Sequence, residues 1–170
     1  MKKIAIIIGT ARLESATQKI APFIINHIKN YPDIEVMVVD VQHYPQTATG
    51  GLSPELYEEY KKNIISADGV IIISPEYNHS FPGELKMLLD NLKQEYTKKP
   101  VAICGISAGA FGGARMIQSL EPVLLQMGMI PVRSHMYIGE VDRVIAQVQE
   151  GGDVAIWEKR VYQMVQGVIG

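Results

Sequence analysis

The stretch Ser74-Pro75-Glu76-Tyr77-Asn78-His79-Ser80-Phe81-Pro82-Gly83 sets a carboxylate, an aromatic ring and an amide between two prolines and a glycine. Proline and glycine supply backbone angles that other residues avoid, and the residues between them are of the kind that grip a flat polar ligand by its edge. A second stretch, Gly9 to Thr17, offers the hydroxyls of Thr10, Ser15 and Thr17 and the forked cation of Arg12, with Ala16 between the last two hydroxyls. Placed before a helix, whose first amides are unpaired and whose dipole is positive there, such groups form a phosphate cradle. The stretch is not a P-loop, because no Gly-Lys-Ser/Thr is present, nor is it the Gly-x-Gly-x-x-Gly dinucleotide fingerprint. Hydroxyls in place of glycines suit a terminal monophosphate better than a pyrophosphate.

The third stretch, Gly105 to Gly113, admits two chemistries. Gly105-Ile106-Ser107-Ala108-Gly109 has the Gly-x-Ser-x-Gly form of an esterase nucleophile elbow, with Ser107 as nucleophile. A triad would need an acid and then a histidine downstream, and only Glu121, in a predicted helix, and His135 are available. In the other chemistry the glycines let backbone approach a flat ring, and Ser107 donates a hydrogen bond. His27, His43, His79 and His135 lack metal-ligand spacing, so no metal site is expected.

These stretches need elements to hold them. Apolar runs predict strands over Lys3–Ile8, Glu35–Val39, Val70–Ile73, Val101–Cys104 and Ile130–Met136. Between them lie helical patterns. Ser15 reads as an N-cap, with Gln18 completing a capping box, ahead of Ile20, Phe23, Ile24 and Ile28 on one face. Ser53 and Pro54 open a second helix that turns Leu56, Tyr60 and Ile64 inward. A third helix carries Leu85, Leu88, Leu89 and Leu92. A fourth runs to about Met127 with a kink expected at Pro122. The last starts at Asp153, while Gly139–Gly152 reads as ambiguous. Strands alternating with helices predict an α/β fold, a parallel sheet covered on both faces. Two strand orders fit. In the order 2-1-3-4-5 the switch point falls between strands one and three, where ligands bind, and the three motif-bearing loops converge there.

The totals narrow the function classes. A chain of 170 residues is expected to form one domain, 1–170, and its 47% hydrophobic and 20% charged residues are ordinary for a globular protein. A net charge of −2 without runs of like charge gives no reason to expect nucleic acid or a membrane surface as partner. The apolar start Ile4–Ile8 is short and is followed by Arg12 and Glu14, so it reads as a first strand, not a signal peptide. The single cysteine, Cys104, points to a reducing compartment, hence the cytoplasm.

Taken together, the three loops resemble the NADPH-dependent FMN reductase family of flavodoxin-like proteins. The resemblance rests on Pro75-Glu76-Tyr77-Asn78 followed by Ser80-x-Pro82-Gly83-x-Leu85-Lys86 and Asp90, on Gly9-Thr10-Ala11-Arg12-x-x-Ser15, and on Gly112-Gly113-Ala114-Arg115 with Leu120-x-Pro122-Val123-Leu124. It implies a flavodoxin-like, doubly wound, five-stranded parallel sheet of order 2-1-3-4-5. It implies FMN as cofactor, with Thr10, Arg12, Ser15, Ala16 and Thr17 around the phosphate, Pro75, Glu76, Tyr77 and Asn78 along the isoalloxazine, and Ser107, Gly109 and Gly112 on the opposite edge. The implied reaction is hydride transfer from NADPH or NADH to FMN N5, then ping-pong reduction of a quinone, azo compound, flavin or metal ion. No side chain is implied as catalytic acid or base. Arg115 could meet an NADPH phosphate or a second subunit, or equally be a surface residue, and a homodimer or homotetramer is implied. Met87 and Asn91 depart from the family's usual Asn and Trp in the third helix. A flavodoxin-type electron carrier is the alternative, although carriers bear a strongly acidic face and a hydroxyl-rich first loop without arginine.

Overall fold

A computed structural model describes residues 1–170. The chain forms β1 (Lys2–Ile8), α1 (Ala16–Lys29), β2 (Ile34–Asp40), α2 (Pro54–Ser66), β3 (Gly69–Pro75), α3 (Gly83–Leu89), β4 (Pro100–Ile106), α4 (Ala114–Gln126), β5 (Ile130–Pro131), β6 (Met136–Ile138), α5 (Val141–Gln149) and α6 (Ala155–Ile169). The strands pair in parallel in the order β2-β1-β3-β4-β5, with β6 also on β4. This is the flavodoxin-like, doubly wound arrangement expected.

Each central strand is apolar on both faces, and its side chains alternate between two cores. Ile4, Ile6 and Ile8 of β1, with Ile71 and Ile73 of β3 and Ala102, Cys104 and Ile106 of β4, pack under α1, α5 and α6. Ala5 and Ile7, with Val70 and Ile72 and with Val101 and Ile103, pack on the other face against α2, α3 and α4. Ile4, Ile6, Ile7, Ile71, Ile72 and Ile73 are fully buried, and each such side chain contributes about 1.5–3 kcal/mol. The rigid sheet therefore fixes the carboxyl ends of β1, β3, β4 and β6, from which the loops of interest spring.

The fifth strand arrives in two pieces. The Ile130 and Val132 N–H groups donate to the Lys99 and Val101 carbonyls at 2.9 Å each, and regular pairing then lapses until Met136. His135 takes over: the Ile103 N–H of β4 donates to His135 Nδ1 at 3.0 Å, where a strand carbonyl would otherwise sit. The other ring nitrogen, Nε2, lies 2.8 Å from Glu121 Oε1 on α4. An Nδ1 that accepts leaves the proton on Nε2, which donates to the carboxylate. This role of His135 was not foreseen, because the approach of β4 to residue 135 is not legible along the chain. α4 runs through Pro122 to Gln126, close to the expected end near Met127. Two further expectations change. The ambiguous segment contains a helix, α5. The last helix begins at Ala155, two residues beyond the start expected from Asp153.

Cys104 is fully buried, and burial pushes its thiol up to about 12. Thiolate is the reactive form, so the native protein is expected not to react with a disulfide reagent at pH 8, while the urea-unfolded chain reacts with one equivalent. A fast native reaction, followed by absorbance, would show that β4 opens locally.

Candidate functional site

Three of the four loops at the carboxyl ends of these strands converge as expected, and their contacts show what holds them. Ser15 caps α1, its Oγ accepting from the Gln18 N–H at 3.2 Å. The reciprocal half of the expected capping box is replaced. The Gln18 side-chain amide donates instead to Asp40 at 3.1 and 3.2 Å and to the Thr10 carbonyl at 3.4 Å, because a carboxylate at the end of β2 is the stronger acceptor. Loop one is thereby pinned to β2 at its base.

Thr10 is fully buried. Its Oγ1 lies 2.9 Å from the Tyr77 hydroxyl, donates to Glu84 Oε1 at 3.3 Å and accepts from the Arg12 N–H at 3.2 Å. Glu84 also accepts from the Ala11 N–H at 3.0 Å. Thr10 thus ties loop one to loop three and to α3. Sequence reasoning missed Glu84, although an acid in the first turn of a helix that follows a motif loop is a usable signal. The Arg12 guanidinium rests 4.3 Å from the centroid of the Tyr77 ring, so this cation and this ring lie together across the two loops.

Loop three is a tight hairpin. Tyr77 and Ser80 exchange backbone hydrogen bonds at 2.9 and 3.0 Å, and the two residues between them, Asn78 and His79, have φ of 49° and 66°. A two-residue turn of this hand needs positive φ at both central positions, and asparagine tolerates that best. Asn78 and His79 are exposed at the tip. Glu76 is held from both ends. Its N–H donates to the Ile106 carbonyl at 2.9 Å. Its Oε1 accepts from Arg115 Nε at 2.8 Å and lies 2.6 Å from Arg115 Nη2.

In loop four, the Ser107 N–H donates to the Ile138 carbonyl at 3.0 Å and its Oγ donates to the Gly109 carbonyl at 2.7 Å. No histidine is bonded to Ser107, and both nitrogens of His135 are engaged with Ile103 and Glu121. The esterase arrangement is therefore not built. Gly109 is exposed, whereas Gly112 is buried against the Tyr137 backbone.

Arg12, Ser15, Ala16, Thr17, Pro75, Glu76 and Tyr77 line one cleft of about 410 Å3. Thr10 lies beneath it, and Asn78, Ser107, Gly109 and Gly112 are not part of its lining. Glu14, Ile106, Ala108, Val141 and Asp142 complete the wall. The last two open α5, just after β6, in the segment that sequence reasoning left ambiguous. Two buried polar atoms in the cleft residues have no partner, Thr17 Oγ1 and Glu76 Oε2. The first-turn amides of Ala16 and Thr17 also find no acceptor in the protein. An unpaired hydroxyl, unpaired helix amides and a guanidinium fit an anion such as a phosphate, and the free carboxylate oxygen fits an N–H at the edge of a flat ring. The donor set therefore suits FMN.

Comparison with known proteins agrees with this geometry. The profile of the family described as NADPH-dependent FMN reductase matches residues 2–142. A 2-hydroxy-1,4-benzoquinone reductase from Burkholderia sp is 29% identical over 94% of this chain and 89% of its own length. An FMN-dependent NADPH-azoreductase of Staphylococcus aureus is 35% identical over 61% of this chain, and the match takes in 60% of that protein's length. Among solved structures, an NADH:FMN oxidoreductase superposes with a TM-score of 0.77 at 23% identity, covering 99% of this chain and 89% of that one. The flavoenzyme NAD(P)H:(acceptor) oxidoreductase of Paracoccus denitrificans gives a TM-score of 0.72 at 23% identity, covering 98% and 99%. At that identity the two structures speak for the fold.

Proposed function

The chain belongs to the NADPH-dependent FMN reductase family, and from that premise we propose that the cleft between loops one, three and four seats FMN and serves the reduction of a small quinone or azo compound by a nicotinamide. The observation that carries this reading is the buried, partnerless Thr17 hydroxyl beside two unpaired helix amides in a cleft that Arg12 also lines. Arg12, Ser15, Ala16 and Thr17 hold the phosphate. Pro75, Glu76, Tyr77 and Asn78 border the ring, and Ser107 and Gly109 face it from loop four. Gly112 acts one step back, by letting loop four lie against β6.

FMN, when bound, supplies reversible two-electron chemistry, and no side chain has to act as an acid or base for it. The chain's own work is positioning. Thr10 and Tyr77 lock loop one to loop three, Arg115 holds the Glu76 carboxylate, and the Glu76 N–H keeps loop three on the end of β4. The quinone and azo classes are taken from the names of the Burkholderia and Staphylococcus relatives. Leu13 and Phe111, exposed by 76% and 70% on loops one and four, are apolar groups that a second subunit would cover, so the working assembly is a homodimer or a multiple of it. No helix is long and apolar enough to cross a membrane, and the single buried cysteine suits the cytoplasm.

The test is the visible spectrum of the purified chain with FMN added, recorded without oxygen. FMN is expected to bind with a shifted spectrum, bleach on addition of NADPH or NADH and recover on addition of a benzoquinone. Failure to bind FMN overturns the cofactor assignment. Binding without bleaching by either nicotinamide overturns the reductase and leaves an electron carrier.

A further inference from the structure

A second cavity, of about 430 Å3, opens at the β6 edge of the sheet, outside the flavin cleft. Tyr137 of β6, Glu140 and Arg143 at the start of α5, and Trp157 and Arg160 of α6 wall it, and Ala110 of loop four closes one end. None of these residues has a part in the cleft. What they share is chemistry: two guanidiniums beside two aromatic rings.

The two arginines are held differently. Arg160 is fixed, with Nη1 donating to the Tyr137 carbonyl at 3.2 Å and its guanidinium 5.2 Å from the Trp157 ring centroid. Arg143 is loose. Its one ionic contact is Glu140 at 3.7 Å, between side chains 84% and 62% exposed, and a pair that exposed is worth little. Arg143 is therefore free to turn toward an anion while Arg160 keeps the far wall in place. A guanidinium fork matches a phosphate in two-point fashion. Tyr137 and Trp157 offer the faces on which a purine stacks.

The cavity also stands in the right place. It shares a wall with the flavin cleft: Ala108, Val141 and Asp142 face the cleft, while Ala110, Glu140 and Arg143 face the cavity. That wall is tight, the Glu140 N–H donating to the Gly109 carbonyl at 3.0 Å. A dinucleotide whose nicotinamide lies against loop four has this wall alone to cross.

We propose that the β6-edge cavity binds the 2′-phosphoadenosine half of NADPH, with Arg143 and Arg160 on the 2′-phosphate, and so selects NADPH over NADH. The proposal rests on the reductase reading of the flavin cleft. An acidic residue on the ribose 2′-hydroxyl marks NAD selection, and arginine in that role marks NADP. Glu140 is the one carboxylate on this cavity, and it already faces Arg143.

Two measurements on the FMN-supplemented chain decide it. In steady-state kinetics, Arg143→Glu is expected to raise the ratio of KM for NADPH to KM for NADH by about tenfold or more, as losing one charged phosphate contact implies. Arg160→Gln should move the ratio the same way. In calorimetry, adenosine 2′,5′-bisphosphate is expected to bind the wild-type chain more tightly than ADP, and Arg143→Glu should erase the difference. A ratio unchanged in both variants, or a bisphosphate preference that survives Arg143→Glu, overturns the proposal. The calorimetric arm needs no turnover. If neither nicotinamide reduces the flavin, the reductase reading falls, while the bisphosphate titration still settles whether the cavity reads a 2′-phosphate.

Discussion

Arg12→Ala is expected to weaken FMN binding by on the order of 2 kcal/mol, about thirtyfold, with little change in fold stability. The expectation follows from how Arg12 is held. Its side chain is exposed and its guanidinium touches only the Tyr77 ring, at 4.3 Å. An exposed cation–π contact is worth roughly 0.5–1 kcal/mol, so thermal unfolding should shift only slightly. The backbone bond from the Arg12 N–H to Thr10 Oγ1 at 3.2 Å survives the substitution, and loop one keeps its path. What is lost is a charge-assisted contact to a phosphate. Riboflavin, which lacks the phosphate, provides the control: its affinity should be the same for the variant and the wild type. Arg12→Lys should recover part of the loss and not all of it, because an ammonium supplies charge without the fork. Flavin fluorescence quenching on titration reads each case. FMN binding that is unaltered in Arg12→Ala would remove this residue from the phosphate site.

Sequence alone conveyed a good deal of this site, and the reasons are physical. The strands of a doubly wound sheet are buried on both faces, so Ile4–Ile8, Val70–Ile73 and Val101–Cys104 stand out as unbroken apolar runs. The loops after them carry the polar residues that have no structural reason to cluster. Hence Arg12, Ser15, Thr17, Glu76 and Tyr77 were all legible, and they do line one cleft. Contacts between distant residues were not legible. Gln18 has the spacing of a capping box, but the box competes with Asp40, which lies 22 positions further on. Thr10 has the type and position of a phosphate ligand, yet its hydroxyl meets Tyr77 and Glu84 from below the cleft. Asn78 looks like an amide placed for a ligand, and its φ of 49° gives it a turn-forming reason to be asparagine as well. His135 reads as a leftover histidine until β4 brings the Ile103 N–H to it. The fifth strand defeated periodicity because regular pairing lapses between Val132 and Met136, where the His135 side chain stands in as acceptor. The short pieces that remain, two and three residues long, fall below what alternation can register.

Gly113→Ala is expected to cost the fold on the order of 3 kcal/mol and to abolish tight FMN binding. Gly113 caps α4 with φ of 76°, in the left-handed region. Alanine there costs roughly 1–2 kcal/mol for the backbone alone. Space adds to it, since a Cβ at Gly113 would lie 2.8 Å from Gly105 Cα and 2.8 Å from the Ile106 nitrogen, both main-chain atoms of β4. No side chain can swing aside, so relief requires loop four to lift from the strand end. That movement would pull on three things at once. The Ile106 carbonyl accepts from the Glu76 N–H at 2.9 Å, the Ser107 N–H donates to the Ile138 carbonyl at 3.0 Å, and Arg115, two residues on, holds Glu76. The ring-facing loop and the loop opposite it are therefore displaced together. Gly109→Ala is the matching control, because a Cβ there meets nothing within 4 Å, and it should leave stability within about 0.5 kcal/mol of wild type. Urea denaturation followed by circular dichroism measures the first effect and flavin titration the second. A Gly113→Ala chain that keeps wild-type stability would show that loop four is not seated on β4 as described. A chain that loses stability but keeps full FMN affinity would show that loop four does not border the flavin, and that α1 and loop three hold it without help.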